Sequence, residues 1–179
     1  IYKKGINLKD APLLQYGYGS YGAVIEPSFK LSFMPLIEQG FIFAIAHIRG
    51  GQDLGRDWYD QGRMMNKMNT FFDFIDCSKE LLKKDIGNKS KIFAMGGSAG
   101  GLLMGAIINL EPSLYKGIVS AVPFVDVLTT MSDESIPLTT FEYKEWGNPA
   151  KKKEYFYIKK YSPYDLSLIH ISEPTRLAI

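Results

Sequence analysis

The sequence predicts an α/β fold, a mostly parallel sheet with helices on both faces. Three features of the chain carry that prediction: short apolar runs that read as buried strands, stretches of 3.6-residue periodicity between them, and a spacing that suits parallel crossover connections. With 179 residues, 46% of them hydrophobic and 13% aromatic, the chain has the length and composition of one domain with a real core.

Pro12–Tyr16 (PLLQY) is short, apolar and followed at once by the glycine-rich run Gly17–Gly22, so it reads as a buried strand entering a tight loop. Phe41–Ile48 (FIFAIAHI) is nearly continuous in apolar residues, as strands buried on both faces are. Between them Phe29, Phe33, Leu36 and Ile37 lie at helical spacing around Pro35. From Asn69 the period becomes helical, with Phe71, Phe74, Ile75, Ser78, Leu81 and Leu82 on one stripe and Asn69 or Thr70 available as N-cap. Lys91–Met95 is a third strand, Ala99–Asn109 a helix of small residues, and Ile118–Pro123 a fourth strand. Beyond Val127 the chain becomes polar and aromatic without clear periodicity as far as Asp165.

Twenty-one Lys and Arg against 19 Asp and Glu leave a formal charge of +2, too small and dispersed to imply nucleic acid or a membrane surface as partner. The run Lys151–Lys153 reads as a solvated face. No apolar run reaches the 18 or so residues that a membrane span needs. One cysteine, Cys77, excludes an internal disulfide and agrees with a reducing, cytoplasmic setting. No His or Cys spacing suggests a metal site, and no cofactor is implied.

The chemistry lies in Met95–Gly101 (MGGSAGG), a G-x-S-x-G pattern that follows a strand and opens a helix. A turn sharp enough to lift a serine hydroxyl off the end of a sheet crowds the backbone, so glycines flank it. The helix that follows contributes its dipole and free N–H groups, which puts the Ala99 amide where an oxyanion would form. A glycine-rich anion loop is the alternative, but a Walker loop needs a lysine before its Ser or Thr, and a dinucleotide loop belongs on the first strand. Ser98 is therefore read as a nucleophile on an α/β-hydrolase fold. In that chain order the base follows the serine, so His47, which precedes it, reads as structural, and only His170 lies downstream.

Several long motifs resemble the catalytic domain of the prolyl oligopeptidase family, most nearly its oligopeptidase B branch. They are YGYGSYG at Tyr16–Gly22, AHIRGG at Ala46–Gly51, GRDWYDQGR at Gly55–Arg63, AMGGSAGGLLMG at Ala94–Gly105 and VPFVDVLTTMSDESIPLTT at Val122–Thr140; EWGNP at Glu145–Pro149 and YSPYD at Tyr161–Asp165 extend the match. The resemblance implies a serine endopeptidase of short peptides that cuts after Arg or Lys, with a β-propeller ahead of the catalytic domain. It implies Ser98 as nucleophile, with the Tyr16 hydroxyl and the Ala99 amide as oxyanion donors. It places Glu142 at the subsite for the first basic side chain and Glu26 at the neighbouring one; a carboxylate and a guanidinium form a charge-assisted pair. Taken alone, Tyr16 is an ordinary strand-end aromatic and Glu142 a surface charge. Two positions depart from the pattern: Lys144 and Ser28 stand where further acids are usual. An ammonium near 4 Å from Glu142 would interact by about 4 kcal/mol at an effective dielectric of 20 and compete with a substrate cation.

Past Asp165 the likeness stops. Leu166–Arg176 (LSLIHISEPTR) back-translates codon by codon into a transposase adapter used in sequencing libraries, so 166–179 is expected to be a read-through tail on a partial catalytic domain, 1–165. His170 would then be no base, the sheet would be incomplete at its C-terminal side, and the chain alone would be inactive or nearly so. An esterase or acylaminoacyl hydrolase on the same fold, and a non-catalytic binding protein that kept it, are the alternative readings.

Overall fold

The computed structural model of the chain describes residues 1–28 and 30–167. Phe29, His170 and the rest of the expected tail from 168 onward lie outside these. The elements in chain order are β1 (Leu13–Tyr16), α1 (Met34–Glu38), β2 (Ile42–Ile45), α2 (Arg56–Asp60), α3 (Met68–Lys83), β3 (Ile92–Gly97), α4 (Ala99–Leu110), β4 (Gly117–Ala121), α5 (Val127–Ser132), α6 (Thr139–Trp146), α7 (Lys152–Ile158) and α8 (Pro163–Ser167).

The four strands form one all-parallel sheet in the order β2-β1-β3-β4. Each predicted strand is there, somewhat displaced at its ends: the apolar run after Gly40 stops pairing at Ile45, and β3 runs on to Gly97. The chain leaves β1 for β2 on one side and returns to β3 on the other, so the order reverses between β1 and β3. In open parallel sheets the crevice at such a reversal, beyond the carboxyl ends of the strands, is where ligands bind.

Side chains alternate across β1. Leu13 and Gln15 face a large core with Phe71, Phe74, Leu102, Leu103 and Ile107, while Leu14 and Tyr16 face a smaller one with Ile37 and Phe43. Helices thus cover both faces, α3 and α4 on the first and α1 on the second. The helix α4 is apolar nearly all round, as its central place requires. Each fully buried Leu or Ile there contributes about 1.5–3 kcal/mol of transfer free energy. Gln15, buried mid-strand, is satisfied: its amide donates to Phe74 O at 2.9 Å and its carbonyl accepts from Ser78 Oγ at 2.6 Å.

Two expectations need correction. The helix α3 begins at Met68, with Lys67 in the capping position and no side-chain cap. Asn69 and Thr70 instead bond loop carbonyls, Asn69 donating to Gln61 O and Thr70 to Arg49 O in the loop after β2. The region after Val127 is also largely helical, in the four short helices α5–α8. They are held by burial of Val127, Met131, Trp146, Ile158 and Tyr161 against the main core, and segments of five to eight residues are too short for a period to show.

Gly101, near the start of α4, tests this packing. A Cβ there would lie 2.5 Å from Pro123 Cα, a backbone atom that cannot swing aside. Gly101→Ala should lower the urea midpoint, because a clash costing up to about 3 kcal/mol outweighs the roughly 1 kcal/mol gained in helix propensity. A midpoint that rose would contradict the close approach of α4 to the segment after β4.

Candidate active site

Ser98 sits between the end of β3 and the first turn of α4, with φ 56° and ψ −118°, a backbone conformation that non-glycine residues seldom adopt. Its surroundings enforce it. Ser98 N–H donates to Ala121 O at 2.9 Å, and Ser98 O accepts from Gly101 N at 2.8 Å and Phe124 N at 3.1 Å. A Cβ on Gly96 would collide with Gly100 O where the chain doubles back on itself, and one on Gly100 would lie 2.9 Å from Gly17 O in the turn after β1. The Ser98 side chain is left exposed, and the Ala99 N–H, among the first donors of α4, has no acceptor within the helix.

The turn after β1 faces this elbow. Gly17 N donates to Met95 O at 3.2 Å, which ties the start of that turn to β3. The Tyr18 phenol neighbours the Ser98 side chain; burial raises its pKa, and the contact with Ser98 partly offsets the rise. Tyr16, the residue expected from the sequence, is not in that place. It is the last residue of β1 and packs on the opposite face, against the cluster of Leu14, Ile37 and Phe43. Alternation along β1 sends position 16 to the α1 side, while Gly17, where a Cβ would lie 2.7 Å from the Phe74 ring, lets the chain pass close over α3 and α4 toward position 18 beside the serine.

Beside Ser98 opens a cavity of about 270 Å³, lined among others by Tyr21, Ala99, Phe124, Leu138, Glu142 and Trp146. Glu142 is its acid. Its Oε2 accepts from Tyr21 Oη at 2.7 Å and from Trp146 Nε1 at 3.0 Å, so one carboxylate oxygen is held from two sides. Tyr21 meets Trp146 edge to face, with ring centroids 5.6 Å apart. Burial first, and then the bond to Glu142, raise the Tyr21 phenol well above its ordinary pKa, so it remains a donor.

Glu26 lies on an exposed stretch after the turn and does not line this cavity; Ser28 is exposed on the same stretch. Lys144 does not act as expected either. Positions 142 and 144 lie on α6, where residues two apart point to opposite sides, and Lys144 is exposed while Glu142 lines the cavity. Lys144 and Glu142 make no ion pair, so an ammonium competing for the pocket acid is absent from this arrangement.

His47 follows β2 on the far side of β1 from β3. Its Nε2 lies 2.8 Å from Ile25 O and 3.7 Å from Asp53 Oδ1, in keeping with a structural role. The loop after it is held by Arg49, whose Nε and Nη2 donate to Asp73 at 2.7 and 2.5 Å while the guanidinium stacks on Trp58.

Sequence reasoning missed Lys67 and Glu145. Both are buried: Lys67 Nζ donates to Gly19 O and Ser20 Oγ, each at 2.7 Å, and stands 4.0 Å from Glu145 Oε1. Glu145 in turn accepts from Tyr21 N at 2.9 Å and from Tyr59 Oη at 2.6 Å. No local pattern signals such a pair, since its members come from segments far apart in the chain.

The model of the prolyl oligopeptidase family matches residues 27–177. The chain is 55% identical over 166 residues to dipeptidyl aminopeptidase BI of Pseudoxanthomonas mexicana, taking in 92% of the chain and 23% of that protein. To protease 2 of Moraxella lacunata it is 56% identical over 155 residues, 87% of the chain and 22% of that protein. Among solved structures it is similar to oligopeptidase B from Trypanosoma brucei, with covalently bound antipain in a closed form, at a TM-score of 0.89 and 49% identity, over 92% of the chain and 23% of that structure. The chain thus spans less than a quarter of the length of these relatives.

Proposed function

Since the chain belongs to the prolyl oligopeptidase family, we propose that it supplies the nucleophile, the oxyanion donors and the first specificity pocket of a serine oligopeptidase that cleaves short peptides after Arg or Lys. The observation that carries this is the juxtaposition of an exposed Ser98 on a strained elbow with a cavity whose acid, Glu142, is fixed by two donors. The remaining length of the relatives leaves room for further domains, among which we place the β-propeller that the motifs imply.

In this reading the substrate's basic side chain enters the cavity and pairs with Glu142, whose free lone pairs remain open to it. That pairing sets the scissile carbonyl beside Ser98. An imidazole supplied by the intact enzyme accepts the Ser98 proton as Oγ bonds to the carbonyl carbon, and the carbonyl π pair moves onto oxygen. The oxyanion is held by the Ala99 N–H and the Tyr18 O–H, donors already in place before charge develops. The same imidazole then protonates the leaving amine as the C–N bond breaks, and water releases the acyl group by the same steps. Glu26 does not line this cavity, so in this reading the preference rests on Glu142.

Three outcomes test the reading in the full-length protein. A fluorophosphonate should label the wild type, and Ser98→Ala should abolish both labelling and hydrolysis of an Arg amide; persistent labelling would place the nucleophile elsewhere. Tyr18→Phe should lower kcat on that substrate by about 10²–10³-fold, the usual effect of losing one oxyanion donor, while Tyr16→Phe should change it by less than about threefold. Glu142→Gln should raise KM for Arg substrates and leave neutral ones nearly unaffected, by about 10-fold or more for loss of a charge-assisted pair. Equal effects on charged and neutral substrates would remove Glu142 from recognition. Product lengths separate internal cleavage from the stepwise dipeptide removal that the name of one relative suggests.

A further inference from the structure

Lys67 and Glu145 lie beneath the proposed site and take no part in the steps above. Both side chains are almost wholly out of solvent, 1% and 4% exposed, and nearly every polar contact they make is to the turn after β1 or to the groups that line the pocket. From Lys67, Nζ grips Gly19 O and Ser20 Oγ in that turn. Through Glu145, α6 grips Tyr21 N in the same turn and Tyr59 on α2. The ammonium also sits over the ring of Trp146, 4.9 Å from its centroid, and Trp146 is one of the two donors that fix Glu142.

The turn therefore has a functional group on each side of the grip. Tyr18 precedes Gly19 and faces Ser98; Tyr21 follows Ser20 and donates to Glu142. We propose that the Lys67–Glu145 pair is a positioning device, locking the turn that carries Tyr18 and Tyr21 to the helix that carries Glu142, so that oxyanion donor and specificity pocket are set together. This rests on the function proposed above.

Burial pushes the Lys67 ammonium down to about 8, with the Glu145 charge opposing the fall. The other ionisable groups around it are Glu145 on α6, Tyr59 and Arg63 at and just after α2, Tyr21 in the turn, and Tyr157 and Tyr161 at and just after α7. Burial raises the phenols above their ordinary value, Tyr59 to about 12, so Lys67 is the member of the cluster that changes charge near pH 8. Below that pH the ammonium is present to attract Glu145; above it the amine keeps N–H donors but loses that attraction and the charge-assisted strength of its bonds to Gly19 O and Ser20 Oγ, and the grip weakens.

The test uses the full-length protein and the pH profile of kcat/KM on an Arg amide. Wild type should show an alkaline limb near pH 8. Glu145→Gln, which keeps the shape and removes the charge, should move that limb down by about one unit or more. Lys67→Met should lower kcat by about 10²-fold and raise KM as well, because both halves of the site shift, and Lys67→Arg should recover part of the loss without the limb. A limb unmoved by Glu145→Gln and Lys67→Arg would overturn the proposal. So would an effect of Lys67→Met confined to stability, with kcat and KM intact in the folded fraction. A second readout does not depend on turnover. With 5-fluorotryptophan incorporated, the Trp146 resonance, assigned by its loss in Trp146→Phe, should titrate near pH 8 in wild type and stay flat in Lys67→Met. Wild type that titrates so yet cleaves nothing would sink the peptidase reading and leave the pair standing; a resonance that titrates identically in Lys67→Met would sink the pair.

Discussion

The site depends on one constraint, the backbone of Ser98 held at a positive φ where β3 gives way to α4. A non-glycine residue in such a region costs on the order of 1–3 kcal/mol, and the strain persists only because the neighbours over-determine it. Here they do so from three directions: the N–H is tied to β4 through Ala121 O, the carbonyl accepts from α4 and from Phe124, and Gly96 admits no Cβ against Gly100 O across the turn. The sheet supplies the rest. Because β3 lies between β1 and β4, its C-terminal end meets a loop from each side, the Tyr18–Tyr21 turn and the Phe124 segment, and both reach Ser98. The proposed site is thus built by short loops on well-packed strands.

A loop is only as well placed as what anchors it. The turn after β1 carries the phenols of Tyr18 and Tyr21 yet has no helix or strand of its own, and Tyr21 itself sits at φ 58°. Its order comes from side chains that arrive from elsewhere: Lys67 at the head of α3 and Glu145 on α6. The Arg49–Asp73 bridge performs the same service for the loop after β2. In each case a charged group bonds backbone atoms and has an opposite charge beside it, which is how loop polar groups stay satisfied when they are packed away from water.

Much of this was legible in the chain. The four strands, the long helix from Met68 and the nucleophile turn all rest on local signals, apolar runs, a 3.6 period and glycines at fixed offsets, and those signals survive folding. What was missed is non-local. Tyr16 and Tyr18 stand in the same motif two residues apart, and which of them lies beside Ser98 depends on where β1 stops and on the close packing of Gly17 against Phe74. Lys144 was set beside Glu142 by the family pattern, which has a second acid at that position, but on α6 residues two apart point to opposite sides. Lys67 and Glu145 are 78 positions apart in the numbering, and each alone reads as a solvated surface charge.

That last pair raises an energetic question that the contacts alone do not answer. Removing two charges from water costs several kcal/mol per ion, and well-packed apolar residues in the same volume are often as stable or more so. At 4.0 Å, without a direct hydrogen bond between the two groups, the attraction is not of the geometry that best offsets such a cost. A core selected for stability alone would hold methionine and leucine here. Apolar side chains, however, cannot bond Gly19 O, Ser20 Oγ, Tyr21 N and Tyr59 Oη, four polar groups that would otherwise be stranded beneath the pocket. The buried charges are better understood as the means of holding a polar turn in one geometry than as a source of stability, and what that geometry serves is the distance between Tyr18, Glu142 and Ser98.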